Sequence, residues 1–313
     1  MILITGGLGY LGGRIAVDLL ASNKKVRIGT RRSGMKKPDF LPDCEMVQMD
    51  MENTSSLVNA CEGVDSVIHL AAMNADACLK DPERAFIINV LGVAKLLEAA
   101  QKKGVKRFIY FSTAHVYGNP LIGDISERSL PRPSHPYSKT HHMAEEFVLA
   151  TRDKGLILGI VLRLSNVIGP PANIASDCWS LLVNELCQQA VNDRKLTLRS
   201  NGLQTRDFIT ISDTVRATVH FLNLPESLCE DGLFNVGGEN VMSILEMAQR
   251  VATCCERTLG YLPEIICPDP SLEEEIKKLR YEIMKLKGTG FSITGDLNFE
   301  INQTLNSIQN RQK

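Results

Sequence analysis

Three glycines, Gly6, Gly9 and Gly12, follow the apolar run Ile2, Leu3 and Ile4. Glycine at that spacing suits holding a diphosphate. A turn without β-carbons lets a phosphate approach bare backbone, and the helix that follows offers unpaired N–H groups and the positive end of its dipole. The apolar run reads as a buried parallel strand and residues 12–20 as the helix. Strand, glycine turn and helix in that order describe a dinucleotide site. Glycine-rich turns also form for structural reasons alone, so the surrounding elements must agree.

Strand-like runs at residues 1–5, 25–30, 44–48, 66–70, 107–112 and 157–164 alternate with helical stretches, which predicts an α/β fold with a doubly wound parallel sheet. Residues 89–103 place Val90, Val93, Ala94, Leu97 and Ala100 along one helical face, and Gly104 ends that helix. The regular wind stops near Pro170 and Pro171. Beyond it we expect helices at 179–191, after Ser212 and at 243–255, the last capped by Ser243, and strands at 195–198 and 232–236. A charged helix is expected at 273–287, and the last few residues are expected to fray. The implied division is a nucleotide-binding domain over 1–165 and a smaller C-terminal α/β substrate lobe over 166–313, interleaved with returning pieces of the sheet.

The 313 residues are 44% hydrophobic and 23% charged, with a net charge of -1. That balance implies no attraction to nucleic acid or to an anionic membrane. No run reaches the ~18 apolar residues of a membrane helix, and the chain opens on its first strand with no room for a signal peptide, so a cytoplasmic protein is expected. Nine cysteines include no C-x-x-C pair, and Cys254 and Cys255 are adjacent. They read as reduced thiols, with no metal site.

Several segments coincide with one family: TGGLGYLG at 5–12, HLAA at 69–72, NVLG at 89–92, FSTAHVYG at 111–118, PYSKTHHMAEE at 136–146, RLSNVIGP at 163–170, QTRDFITISD at 204–213 and FNVGG at 234–238. In this order the chain resembles the extended short-chain dehydrogenase/reductases, specifically their nucleotide-sugar epimerase and dehydratase branch, which carry a Rossmann-type sheet. The resemblance implies that Thr113 and Tyr137 flank the sugar hydroxyl being oxidised while a nicotinamide takes the hydride. Tyrosine has an ordinary pKa of about 10, so acting as a base near neutrality requires lowering it. The family does this with a lysine four residues on. Here that position is His141, and Lys139 lies on roughly the opposite helical face. The expectation is His141 as a ribose contact and a weak electrostatic aid; alternatively it fills space in a member without activity.

The resemblance places cofactor contacts at Gly6, Gly9, Tyr10, Leu11, Gly12, Arg31, Arg32, Asp50, Met51, Leu70, Ala71, Ala72, Asn89, Tyr137 and His141. No carboxylate follows the second strand; Arg31 and Arg32 stand there instead and can clasp a 2'-phosphate or stack on adenine, so NAD and NADP both stay open. Asp50 is implied as an adenine contact, or is a simple turn residue. Thr113, His115, Asn166 and Arg206 are implied on the substrate side, Arg206 at the nucleotide diphosphate; His135 is a further sugar contact or a wall residue. Branch dehydratases carry an Asp and Glu pair after the threonine, where this chain has Ala114 and His115, so 4,6-dehydration is disfavoured. What remains is oxidation at C4 of a GDP- or UDP-linked sugar: a 4-dehydrogenase akin to bacterial GDP-sugar or GDP-heptose enzymes, a 4-epimerase, a reductase, or a binder of NAD(P) without turnover. A homodimer through a four-helix bundle of the helices at 89–103 and 137–152 is also implied.

Overall fold

The computed structural model describes residues 1–268 and 278–312. Seven strands, β1 (Ile2–Thr5), β2 (Val26–Thr30), β3 (Glu45–Gln48), β4 (Ser66–His69), β5 (Arg107–Thr113), β6 (Leu158–Leu164) and β7 (Leu233–Val236), form one sheet in the order β7-β6-β5-β4-β1-β2-β3. Every pairing in it is parallel, with Ile4 between Ile28 and Ile68. The strands are apolar on both faces because both faces are covered. Leu3 packs with Leu57, Leu96 and Phe108 on one side, while Ile4 packs with Ile15, Ile109 and Phe221 on the other. Strand order reverses between β1 and β4, which opens a crevice at their C-terminal ends, the usual place for a ligand in such sheets.

Seven helices carry most of the covering surface: α1 (Tyr10–Ala21), α2 (Gly92–Lys102), α3 (Pro136–Asp153), α4 (Leu182–Asp193), α5 (Ile211–Asn223), α6 (Ile244–Leu259) and α7 (Leu297–Gln312). Ser243 and Glu246 close a reciprocal capping box on α6, as the serine suggested. Helices α4, α6 and α7 build a separate core around Leu186, Phe208, Val251 and Ile301. β7 returns from this region into the main sheet beside β6.

Three expectations change. The segment at 89–103 is not one α-helix: a π-turn at Ile87–Leu91 precedes α2. Of the charged segment at 273–287, residues 273–277 lie outside the described residues; Leu279–Tyr281 is a strand pairing with Gly123–Ile125, and Met284–Gly288 is a short helix. Buried Leu279 and Tyr281 flank exposed Arg280, a two-residue period that the surrounding charges masked. The chain's last described residues belong to α7, held by buried Ile301, Leu305 and Ile308 rather than frayed.

Candidate active site

The glycine turn sits at the mouth of the crevice. Gly6 has φ +69°, and a β-carbon there would lie 3.0 Å from the Ala71 nitrogen and the Leu70 carbonyl carbon. A β-carbon on Gly12 would drive into the Gly6 carbonyl oxygen. Only glycine satisfies both positions. Thr5 Oγ1 accepts from the Leu70 and Ala71 amides, each at 3.2 Å, and so fastens the end of β4 beside the turn. Gly9 is exposed at the start of α1. The Tyr10 hydroxyl donates to the Gly169 carbonyl at 2.8 Å, and Leu11 packs, partly buried, against the core.

Arg31 and Arg32 are exposed just beyond β2. Asp50 accepts from the Glu52 amide at 3.0 Å, the turn contact that its position after a strand allows, and Met51 packs its side chain against Gly92. Asn89 is held by protein partners. It is 1% exposed; its Oδ1 accepts from the Met73 amide at 2.8 Å and its Nδ2 donates to Thr140 Oγ1 at 3.2 Å. The amide is used in holding the loop after β4, so Asn89 shapes the crevice without reaching into it.

Thr113 ends β5, buried, and its Oγ1 accepts from the His115 amide at 3.2 Å. Helix α3 packs against β5 and carries Tyr137 and His141 one turn apart, ring centroids 4.3 Å from each other. Pro136 opens the helix, where its missing N–H is no loss, and His135 caps it by accepting from the Tyr137 amide at 3.1 Å. That ring caps a helix through Nδ1, a structural part compatible with the wall position left open for it. Lys139 points outward, exposed.

His141 is 4% exposed, its Nδ1 lies 2.8 Å from the Tyr110 hydroxyl, and its Nε2 has no partner among the described residues. Burial pushes this imidazole down to about 4, so it stays neutral near pH 7. The expected electrostatic aid to Tyr137 is therefore missing. Burial, and then the nearby Cys78, push the Tyr137 phenol up to about 12. The orphaned Nε2 and the glycine cradle fit a dinucleotide: the cradle suits its diphosphate and the ring nitrogen suits a ribose hydroxyl.

Across the crevice, Arg206 is half-buried, with its Nη1 3.5 Å from Asn166 Oδ1 and its Nε unpartnered. No carboxylate pairs with it among the described residues, and burial lowers its pKa, the mark of a cation lacking an anion. Asn166 is oriented by donating to the Asp207 carbonyl at 3.0 Å. His115 is driven down to about 4 by burial and then by Arg206, and its Nδ1 is buried without a partner. Two groups escaped the sequence reading as participants. Tyr110 reads as one apolar strand residue among many. Glu145, which marks register in the 136–146 segment, grips Arg163 in the core. The nine cysteines are free, and no group of three or more metal-binding side chains occurs among the described residues.

This fold and site define a class. The chain belongs to the NAD dependent epimerase/dehydratase family, whose pattern it matches over residues 2–237. It is 28% identical over 268 residues to a UDP-glucose 4-epimerase of Lactobacillus helveticus, spanning 80% of this chain and 81% of that protein. It is 27% identical over 275 residues to the dTDP-D-glucose 4,6-dehydratase of Homo sapiens, spanning 82% and 74%. The UDP-glucuronic acid 4-epimerase from Bacillus cereus, solved with UDP-glucuronic acid and NAD, superposes with a TM-score of 0.80 at 26% identity over 99% of each chain. The UDP-glucose 4-epimerase of Thermotoga maritima, solved with UDP-glucose, shares the fold at a TM-score of 0.83 and 22% identity, covering 100% of this chain and 99% of that one. It is a member of that family, whose description names NAD as the cofactor. No helix among the described residues is long and apolar enough to cross a membrane.

Proposed function

We propose that this protein exchanges hydride between the C4 carbinol of a UDP-linked sugar and NAD or NADP, and completes the cycle as a 4-epimerase. The observation that carries this reading is the buried, unpartnered Nε2 of His141 beside Tyr137. The glycine turn and the first amides of α1 would hold the cofactor diphosphate. Asp50 and Met51 would border the adenine, Arg31 and Arg32 its ribose, Leu70 to Ala72 the middle of the molecule, and His141 the second ribose. A nicotinamide cofactor held there would supply a hydride acceptor.

Tyr137 then moves a proton between its hydroxyl and the sugar oxygen, with the Thr113 hydroxyl as a second hydrogen bond to that oxygen. Arg206, with Asn166 beside it, would take the diphosphate of the sugar nucleotide, and His115 a sugar hydroxyl; residues 166–313 supply this lobe. Relatives named as UDP-sugar 4-epimerases support the uridine nucleotide among the GDP and UDP alternatives that the sequence left open. Ala114 and His115, in place of the acidic pair, speak against dehydration.

A second reading, reduction of a 4-keto sugar, is favoured by one observation: a phenol at about 12 is held in the protonated form that donates to a forming alkoxide. The test is a panel of UDP-, dTDP- and GDP-sugars with NAD or NADP, read by nicotinamide absorbance and by product chromatography. Interconversion of C4 epimers is expected and should be lost in Tyr137→Phe. Accumulation of a keto sugar would move the assignment to a 4-dehydrogenase, turnover of keto sugars alone to a reductase, and an unchanged spectrum together with unchanged substrate on chromatography to a protein that binds without chemistry.

A further inference from the structure

Which nitrogen of His141 carries the hydrogen decides whether its free side donates or accepts. Tyr110 is buried at 2% exposure, and its hydroxyl has one partner among the described residues, His141 Nδ1 at 2.8 Å. The ring on its other side, His69, stacks on Tyr110 with centroids 5.8 Å apart, but its Nδ1 faces Thr5 and its Nε2 has no partner among the described residues, so neither nitrogen takes the Tyr110 hydroxyl. Thr5 Oγ1 already accepts two backbone amides, so its own O–H goes to His69 Nδ1 at 2.8 Å. Tyr110 therefore has one available acceptor. Were Nδ1 of His141 protonated, the phenol hydrogen would be buried with nowhere to go.

We propose that Tyr110 is a positioning residue that fixes His141 as the Nε2–H tautomer, so that the imidazole offers a hydrogen-bond donor where family members place a lysine. A neutral ring locked this way replaces the lysine as a donor and leaves out its charge. The proposal rests on the reading of His141 as a ribose contact. The ligand it implies for Nε2–H is a hydroxyl oxygen, and the side chain, 4% exposed, has no acceptor for it among the described residues.

The test is the nitrogen spectrum of the full chain with labelled histidine, the His141 signals identified by their loss in His141→Gln. An unprotonated Nδ1 and a protonated Nε2 are expected, with the two forms mixing in Tyr110→Phe; a protonated Nδ1 in the parent overturns the proposal. Dissociation constants for NAD give a second readout. Glutamine places an amide near the Nε2 position and should keep affinity within about threefold, whereas asparagine places it near Nδ1 and should lose about tenfold or more, one hydrogen bond's worth. The reverse order overturns the proposal. Failure of the parent to bind NAD or NADP would sink the ribose reading, and the tautomer would still be decided by the spectrum.

Discussion

Arg163 on β6 grips both carboxylate oxygens of Glu145 on α3, with Nη2 2.6 Å from Oε2 and Nε 3.0 Å from Oε1, and neither side chain is more than 4% exposed. Ser112 on β5 also donates to Glu145. Burial alone would raise the Glu145 carboxyl, but the hydrogen bonds from His142 and Arg163 outweigh it and hold it below the usual range. This clamp holds the helix bearing Tyr137 onto the strand that ends in Thr113. Glu145→Ala, which leaves Arg163 charged and unpaired in the core, should cost about 3–5 kcal/mol in denaturant unfolding. A Glu145→Leu, Arg163→Met double variant should recover much of that loss, and failure to do so would show that the pair's role is not electrostatic.

Tyr137 has no cation of this chain to lower its phenol, so oxidation should be fastest in the alkaline range. His141→Lys supplies that charge one helical turn away. The acid limb of the log kcat profile should then move down by about 1–3 pH units. An unmoved limb would mean that residue 141 does not act on Tyr137.

Arg206 has no anionic partner among the described residues, a costly state that a bound diphosphate would relieve. Arg206→Gln should raise KM for the sugar nucleotide about 10- to 100-fold with little change in kcat, the loss of a charge-assisted contact. The same variant should unfold at an equal or higher temperature, because a desolvated charge is removed. A fall in stability with KM unchanged would assign the arginine to the scaffold.

Acid should begin to destabilise the fold from about pH 6.5, above the ordinary carboxylate range of about 4. His69 and His141 are buried neutral, pushed down to about 3 and about 4, while in the unfolded chain each takes up a proton near its ordinary value of about 6.5. Above that value neither incurs a penalty. As pH falls from about 6.5 toward 4, each removes up to about 1.4 kcal/mol per pH unit. Unfolding free energies measured across this window should slope downward on acidification, and His141→Gln should lessen the slope.

Met143 and Phe147 on α3 are 44% and 43% exposed, one turn apart, and Leu91 ahead of α2 is 38% exposed. The proposed homodimer would cover them with a second copy. Sedimentation should give a dimeric mass for the parent and a monomeric one for Phe147→Asp. A monomeric parent would end the proposal.

The parts of this protein that were legible in its sequence are those governed by neighbours along the chain. The glycine turn, the buried strands, the Ser243 cap and the spacing of Tyr137 from residue 141 follow from sterics and periodicity within a few residues. Tertiary structure decided which candidates are free to act. Asn89 is engaged by Met73 and Thr140, and His135 by a helix end, while His141 and Arg206 keep unpartnered nitrogens. The Tyr110–His141 contact joins residues 31 apart, and the Glu145–Arg163 clamp residues 18 apart. Both exist only because α3 docks on β5 and β6 in one register, and no local pattern records that register. The types of groups at the site are thus written in the chain, but their protonation and availability are set by burial and by partners that only folding brings together.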